Sequence, residues 1–304
     1  RGRRRQPPPA PGLAAQHPSQ FLMVRLRQGL GPALAELCRR YETPEALAAD
    51  PLSEVLGYTD PADREVAAWV AAHLAYGRVA PMRGAIRRAL APLGSHPAEA
   101  LRASSPESTG IRLSRALEGW RWRFHTGEDL AHWLLAWQRM DAEQGNRGLE
   151  DVFRPREGRS ADTLLSELVQ RLRQELPSTR GLRFNLPDPL EGAACKRWRM
   201  FLRWMVRTGW PDLGLWRSHP TSDLAIPLDT HVARVSRFLG FTRRTTADAR
   251  TVGEITEALR TFDPEDPLRF DFGLSHLGIL GHCPGSRRMP GCAPCPLAPV
   301  CRAR

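Results

Sequence analysis

Apolar residues recur at helical spacing through most of this chain from residue 21 onward. Long runs of this kind cover 21–41 and 65–90, and shorter ones cover 128–140, 163–176, 197–207, 232–239 and 252–262. Segments rich in Gly, Pro, Ser and Asp separate them, as expected between helices. Within 197–207, Trp198, Phe201, Leu202 and Met205 follow the i, i+3, i+4, i+7 spacing of one buried stripe. Lys196, Arg203 and Arg207 fall opposite that stripe, with Arg199 beside them. The pattern predicts a helix packed on a core with its basic side outward. No segment alternates convincingly as a strand and no internal repeat is visible, so the predicted class is all-α. The run Trp120-Arg121-Trp122-Arg123-Phe124-His125 reads as amphipathic helix packing, because Trp and Arg both cover apolar surface well. Stacking on nucleic-acid bases is its lesser alternative.

Charge narrows the partner class. The 304 residues carry a net charge of +11 at neutral pH, which suits a polyanion, nucleic acid before anionic membrane. No apolar run approaches the roughly 20 residues of a membrane-spanning helix. The start, Arg1-Gly2-Arg3-Arg4-Arg5, has no apolar signal-peptide core behind it. A cytoplasmic, nucleoid-associated monomer that binds no membrane is therefore expected. Residues 1–20, basic and then Pro-rich, read as a disordered tail.

One basic residue stands apart from the rest. Lys196 is the only lysine among 44 Lys and Arg residues. Arg stays protonated in a protein, whereas Lys can offer a free amine as a nucleophile, so a single lysine is a candidate for chemistry. Its expected place at a helix N-terminus among guanidinium groups favours the neutral amine that forms a Schiff base. The competing reading is a solvated basic helix face.

Two further clusters carry chemistry. Cys283, Cys292, Cys295 and Cys301 form C-x8-C-x2-C-x5-C in a short Pro-rich segment, a concentration that points to metal in a reducing compartment. Four thiolates suit a [4Fe-4S] cluster, with Zn2+ as the alternative, and a brown protein would be the sign of iron-sulfur. Cys38 and Cys195 read as buried thiols. In Leu228-Asp229-Thr230-His231-Val232-Ala233-Arg234-Val235, Asp229 stands where a helix N-cap belongs. Capping alone would explain it; a carboxylate facing an amine across a cleft is the functional reading.

Taken together, these motifs resemble the helix-hairpin-helix–GPD superfamily of DNA glycosylases, and endonuclease III most closely. Gly192-Ala193-Ala194-Cys195-Lys196 stands in the position of the G-x-G-x-K hairpin, Leu228 to Val235 is similar to the aspartate segment, and the four cysteines stand where an iron-sulfur loop ends many members. The run from Ala194 to Arg207, with Pro227 to His231, looks closer still to a bacterial branch known only as a domain of unknown function. The resemblance implies a helix-hairpin-helix–GPD fold of two helical domains. A terminal domain would combine 21–60 with 229–282, a barrel-type domain over 61–228 would carry the hairpin, and 283–304 would form the cluster loop.

The same resemblance implies a base-excision enzyme with AP lyase activity on double-stranded DNA bearing a damaged or modified base. Lys196 would attack C1′ as the Schiff-base nucleophile with Asp229 assisting. Gly192, Arg199, Arg203, Arg207, Arg287 and Arg288 would contact DNA, and Tyr76, Arg78 and His231 would line the base pocket. Departures are visible: Ala194 replaces the second hairpin glycine, the stretch from Lys196 to Asp229 is long, and 101–184 exceeds a compact domain. The alternative function is a non-catalytic iron-sulfur or zinc DNA-binding protein.

Overall fold

The computed structural model describes residues 18–285 and 290–303. Residues 1–17 of the expected tail, and Arg287 and Arg288, lie outside the described residues. The described chain is mostly helical. Its helices are α1 (Pro18–Tyr41), α2 (Pro44–Leu47), α3 (Pro61–Leu74), α4 (Val79–Leu90), α5 (Pro97–Arg102), α6 (Pro106–Ala116) and α7 (Gly127–Glu143). They continue as α8 (Ala161–Glu175), α9 (Arg180–Asn185), α10 (Lys196–Val206), α11 (Thr230–Leu239), α12 (Ala249–Arg260) and α13 (Asp271–Ile279). Among the described residues, no helix is long and apolar enough to cross a membrane.

Local chemistry sets most of the helix starts. Asp60, Ser105, Ser160, Thr179 and Asp248 each accept a first-turn backbone N–H, and Pro61 and Pro106 occupy first-turn positions where no N–H is needed. Thr126 and Asp129 form a reciprocal capping box at the start of α7. The continuous apolar run over 65–90 is in fact two helices. Ala75 ends α3, and Gly77 takes φ +93°, a left-handed turn that costs glycine nothing. The run Trp120–His125 is not a helix either. Arg121–Trp122 and His125–Thr126 pair as two short antiparallel strands, with Arg123 at φ 50° in the turn.

Two apolar cores organise the chain. The larger spans Leu52 to Leu224 and adds Leu268, centred on Trp69, Trp133, Trp198 and Phe201; Trp69 stacks on Trp133 at 4.4 Å between ring centroids. The smaller joins α1, α11, α12 and α13, and takes Leu297 and Val300 from the cysteine segment. Helix α10 packs on α3 and is buried on every side from Arg197 to Val206. The expectation that its basic face points outward is therefore corrected, and with it the roles of Arg199, Arg203 and Arg207 as DNA contacts.

Each of those guanidinium groups turns inward onto acids, because a charge buried this far needs a partner. Arg199 grips Asp162 through two hydrogen bonds of 2.6 and 2.9 Å. Arg203 pairs with Asp212 at 3.0 Å and with Asp271. Arg207 pairs with Asp266 at 2.8 Å and Asp212 at 3.0 Å. Asp266 and Asp271 flank the short turn Pro267–Phe270, which gives Leu268 to the larger core and Phe270 to the smaller, so the network ties the two cores together beneath a cleft.

Candidate active site

That cleft, about 1000 Å³ in volume, opens between the two cores. Lys196, Asp229, Tyr76, Arg78 and His231 all line it, although they come from three separate stretches of chain. Lys196 is the first residue of α10, half-buried, and its Nζ donates to the Ala75 carbonyl at 3.2 Å. The α3–α4 break supplies that carbonyl, so the left-handed turn at Gly77 helps to seat the amine. Cys195 precedes the helix at φ 49° and no side chain caps α10. Its first-turn N–H groups therefore lack a side-chain acceptor at the cleft wall, a polarity that favours an anion.

Asp229 is the N-cap of α11. One oxygen, Oδ1, accepts from His231 N at 2.8 Å and Val232 N at 2.7 Å. Its Oδ2 has no hydrogen-bond partner among the described residues, so one carboxylate can serve both the cap and the cleft. His231 packs against Gly278; a Cβ there would come within 2.3 Å of its ring. Its Nδ1 is buried without a partner. Asp271, the first residue of α13, is a second carboxyl in the cleft wall that sequence reasoning missed. Burial pushes it up to about 7, against the pull of Arg203 and with the Asp229 charge adding to the rise. Gly192 is exposed at φ +92° and its carbonyl accepts from Ala249 N at 2.9 Å, so it fixes the turn before α10 against the start of α12.

The cationic groups sort cleanly. The three arginines of α10 expected to face DNA are neutralised by carboxylates. Arg78, Arg183, Arg197 and Arg237 line the cleft with no carboxylate partner among the described residues. Arg197 is the most unusual of them, only 8% exposed. It donates to the carbonyls of His73 and Phe184 and to Asn185 Oδ1, and burial pulls its guanidinium down to about 10. Its place beside Lys196 was the only sequence signal for it.

Arg197 belongs to a buried chain of hydrogen bonds. Asn185 Oδ1 meets His125 Nε2 at 3.0 Å, and His125 Nδ1 meets the Tyr76 hydroxyl at 2.7 Å. Burial, reinforced by the Arg197 charge, lowers His125 from 6.5 to about 4. Its folded value lies below the unfolded one, so the unfolded chain takes up the proton first. This contribution is complete above about pH 6.5 and is lost as pH falls toward 4, a total of about 3 kcal/mol. Urea unfolding of His125→Gln should therefore lose less stability than wild type between those two pH values. Parallel losses in the two proteins would show that His125 does not titrate in this way.

Near the C-terminus, Cys283, Cys292, Cys295 and Cys301 line one small cavity of about 30 Å³ together with Val235, Leu239 and Leu277. Arg234 donates to the Cys283 carbonyl at 3.3 Å, and Arg302 N donates to Phe238 O, so the segment is docked on α11. Among the described residues, no group of three or more His, Cys, Asp or Glu stands ready to hold a metal ion. Cys38 and Cys195 are buried thiols, pushed by burial up to about 11 and about 12, and therefore poor nucleophiles.

A family model described as a protein of unknown function (DUF2400) matches residues 50–280. No curated protein and no solved structure matches the chain. The placement in the helix-hairpin-helix–GPD superfamily, near endonuclease III, is corrected on this ground: the match is to the family of unknown function, and no glycosylase relative is found. The hairpin and aspartate motifs behind that resemblance are short, and they fall at helix starts. A lysine in a first turn and an aspartate at an N-cap are arrangements that unrelated helices also produce.

Proposed function

We propose that this chain, which belongs to the DUF2400 family of proteins of unknown function, is a DNA glycosylase with AP lyase activity. One observation carries the reading: the only lysine and an N-cap aspartate, 33 positions later in sequence, line a single cleft with four arginines that have no carboxylate partner among the described residues. Double-stranded DNA with a damaged or modified base is the partner that suits this charge and chemistry.

The reaction follows from the two groups. The target nucleotide leaves the base stack, because C1′ is shielded inside a duplex. Lys196 Nζ forms a bond to C1′ as the bond from C1′ to the base breaks, and the base leaves with that electron pair. The sugar ring opens to an imine between Nζ and C1′. Loss of a C2′ proton then expels the 3′ phosphate, and water frees the lysine. Asp229 Oδ2 receives the proton that the amine sheds and offsets positive charge growing on the sugar.

The four cysteines match a [4Fe-4S] cluster, with Zn2+ as the alternative, by donor type and number; they line one cavity but are not gathered into a ligand set. When bound, such a group supplies a structural clamp on the C-terminal segment. The base-removal steps use Lys196 and Asp229 alone.

Asp229→Asn tests the reading, since Asn caps a helix nearly as well as Asp and should leave α11 intact. On duplexes carrying a panel of damaged and modified bases, with product strands resolved, the wild type is expected to release a base and cleave. The variant should bind with affinity within about twofold of wild type and lose about 100-fold or more in excision. Unchanged excision would reduce Asp229 to a cap. A wild type that neither releases any base nor cleaves abasic sites would contradict the function itself.

A further inference from the structure

The hairpin that replaced the expected helix at 121–126 places an aromatic and cationic surface at the rim of the cleft. Phe184, at the end of α9, lines the cleft and is 37% exposed. Its ring meets Tyr76 edge-on at 4.9 Å and Phe124 edge-on at 5.1 Å between centroids. Arg197 lies against the same ring at 3.9 Å, and Arg180 lies over Phe124 at 4.3 Å. Arg123, held at the hairpin turn, reaches over both Tyr76 and Phe124. None of these three arginines has a carboxylate partner among the described residues.

This cluster is held rigid from below. The Tyr76 hydroxyl donates to the Trp122 carbonyl at 3.0 Å and also engages His125, while every donor contact of Arg197 goes to a carbonyl or to Asn185. A fixed aromatic surface costs little ordering on binding. The exposed Phe184 ring, with the half-buried rings of Tyr76 and Phe124 and the exposed guanidinium groups of Arg123 and Arg180 beside it, matches nucleic acid in both of its parts, base faces by stacking and phosphates by charge. A surface for an apolar protein partner has no use for two exposed arginines without carboxylate partners among the described residues, and a paired duplex presents no base face to stack on.

We infer that this rim binds an unpaired nucleobase next to the nucleotide in the cleft, so that the substrate is nucleic acid with a single-stranded segment at the reaction site. The inference rests on the glycosylase reading for the nucleotide in the cleft, and it narrows the substrate from intact duplex to opened strand.

Fluorescence anisotropy with the full chain separates the two claims. The probes are a single-stranded oligothymidylate and a fully paired duplex of equal length, at one salt concentration. Phe184→Leu is expected to weaken single-strand binding by about tenfold, the loss of one stacked base, and to change duplex binding by less than about twofold. Phe184→Tyr should retain wild-type affinity for the single strand. If the wild type binds both probes and Phe184→Leu loses nothing on the single strand, or loses equally on both, the rim inference fails and the lysine chemistry stands. If the wild type binds neither probe, or binds only anionic lipid vesicles, both the rim inference and the glycosylase reading fail.

Discussion

Arg203→Met is expected to lower the unfolding free energy by about 3–5 kcal/mol, the loss that follows when one member of a buried ion network is removed. Asp212 and Asp271 both rely on this guanidinium, and both are buried. Without it, Asp271 has no cation left and must be neutralised by a proton to stay inside, whereas Asp212 keeps Arg207. The folded pKa of Asp271 then lies further above the unfolded one, so stability is lost as pH rises. The deficit of Arg203→Met should accordingly be smaller near pH 5 and larger near pH 8. Urea unfolding of wild type and variant at the two pH values checks both statements. A deficit below about 1 kcal/mol at either pH would mean that the network does not hold the two cores together.

The same residue shows where sequence reasoning stopped. Apolar spacing located α10 and its buried stripe, and it did so from Trp198, Phe201, Leu202 and Met205 alone. It could not show that the opposite side is buried too, because the acids that make this possible stand at 162, 212, 266 and 271. Periodicity reads one helix at a time and carries no information about distant partners. The break at 75–78 was hidden for a related reason. Apolar residues continue on both sides of it, and only Gly77 marks the turn.

Short and uniformly buried elements were equally opaque. The strands at 121–122 and 125–126 hold two residues each, too few for any alternation. Helix α13 is buried through most of its length, so it has no polar face to give a period. The aspartate segment was more legible. An acid before an apolar-periodic run predicted an N-cap, and Asp229 fills that place with two backbone hydrogen bonds. Lys196 stood out by composition, and it lines the same cleft as that aspartate. Tyr76 and the run holding Phe124 were each singled out, but their meeting with Phe184 could not be read, because the three rings come from 76, 124 and 184 and meet only in the fold.

Loss of covalent capture in Lys196→Gln is the second large effect expected. Gln is close to Lys in length and helix propensity and keeps a hydrogen-bond donor for the Ala75 carbonyl, so α10 should start as before. It lacks an amine that can form an imine, and no other lysine exists in the chain to replace it. Residual cleavage at abasic sites should fall to the uncatalysed level even where DNA binding persists.

Borohydride trapping on abasic-site DNA measures this directly. The imine between an amine and C1′ is reduced to a permanent bond, so the adduct reports the nucleophile itself. Wild type is expected to form a covalent protein–DNA species that runs as one slower band on a denaturing gel, and Lys196→Gln is expected to form none. An equal adduct in Lys196→Gln, or no adduct in a wild type that cleaves abasic sites, would contradict Lys196 as the nucleophile.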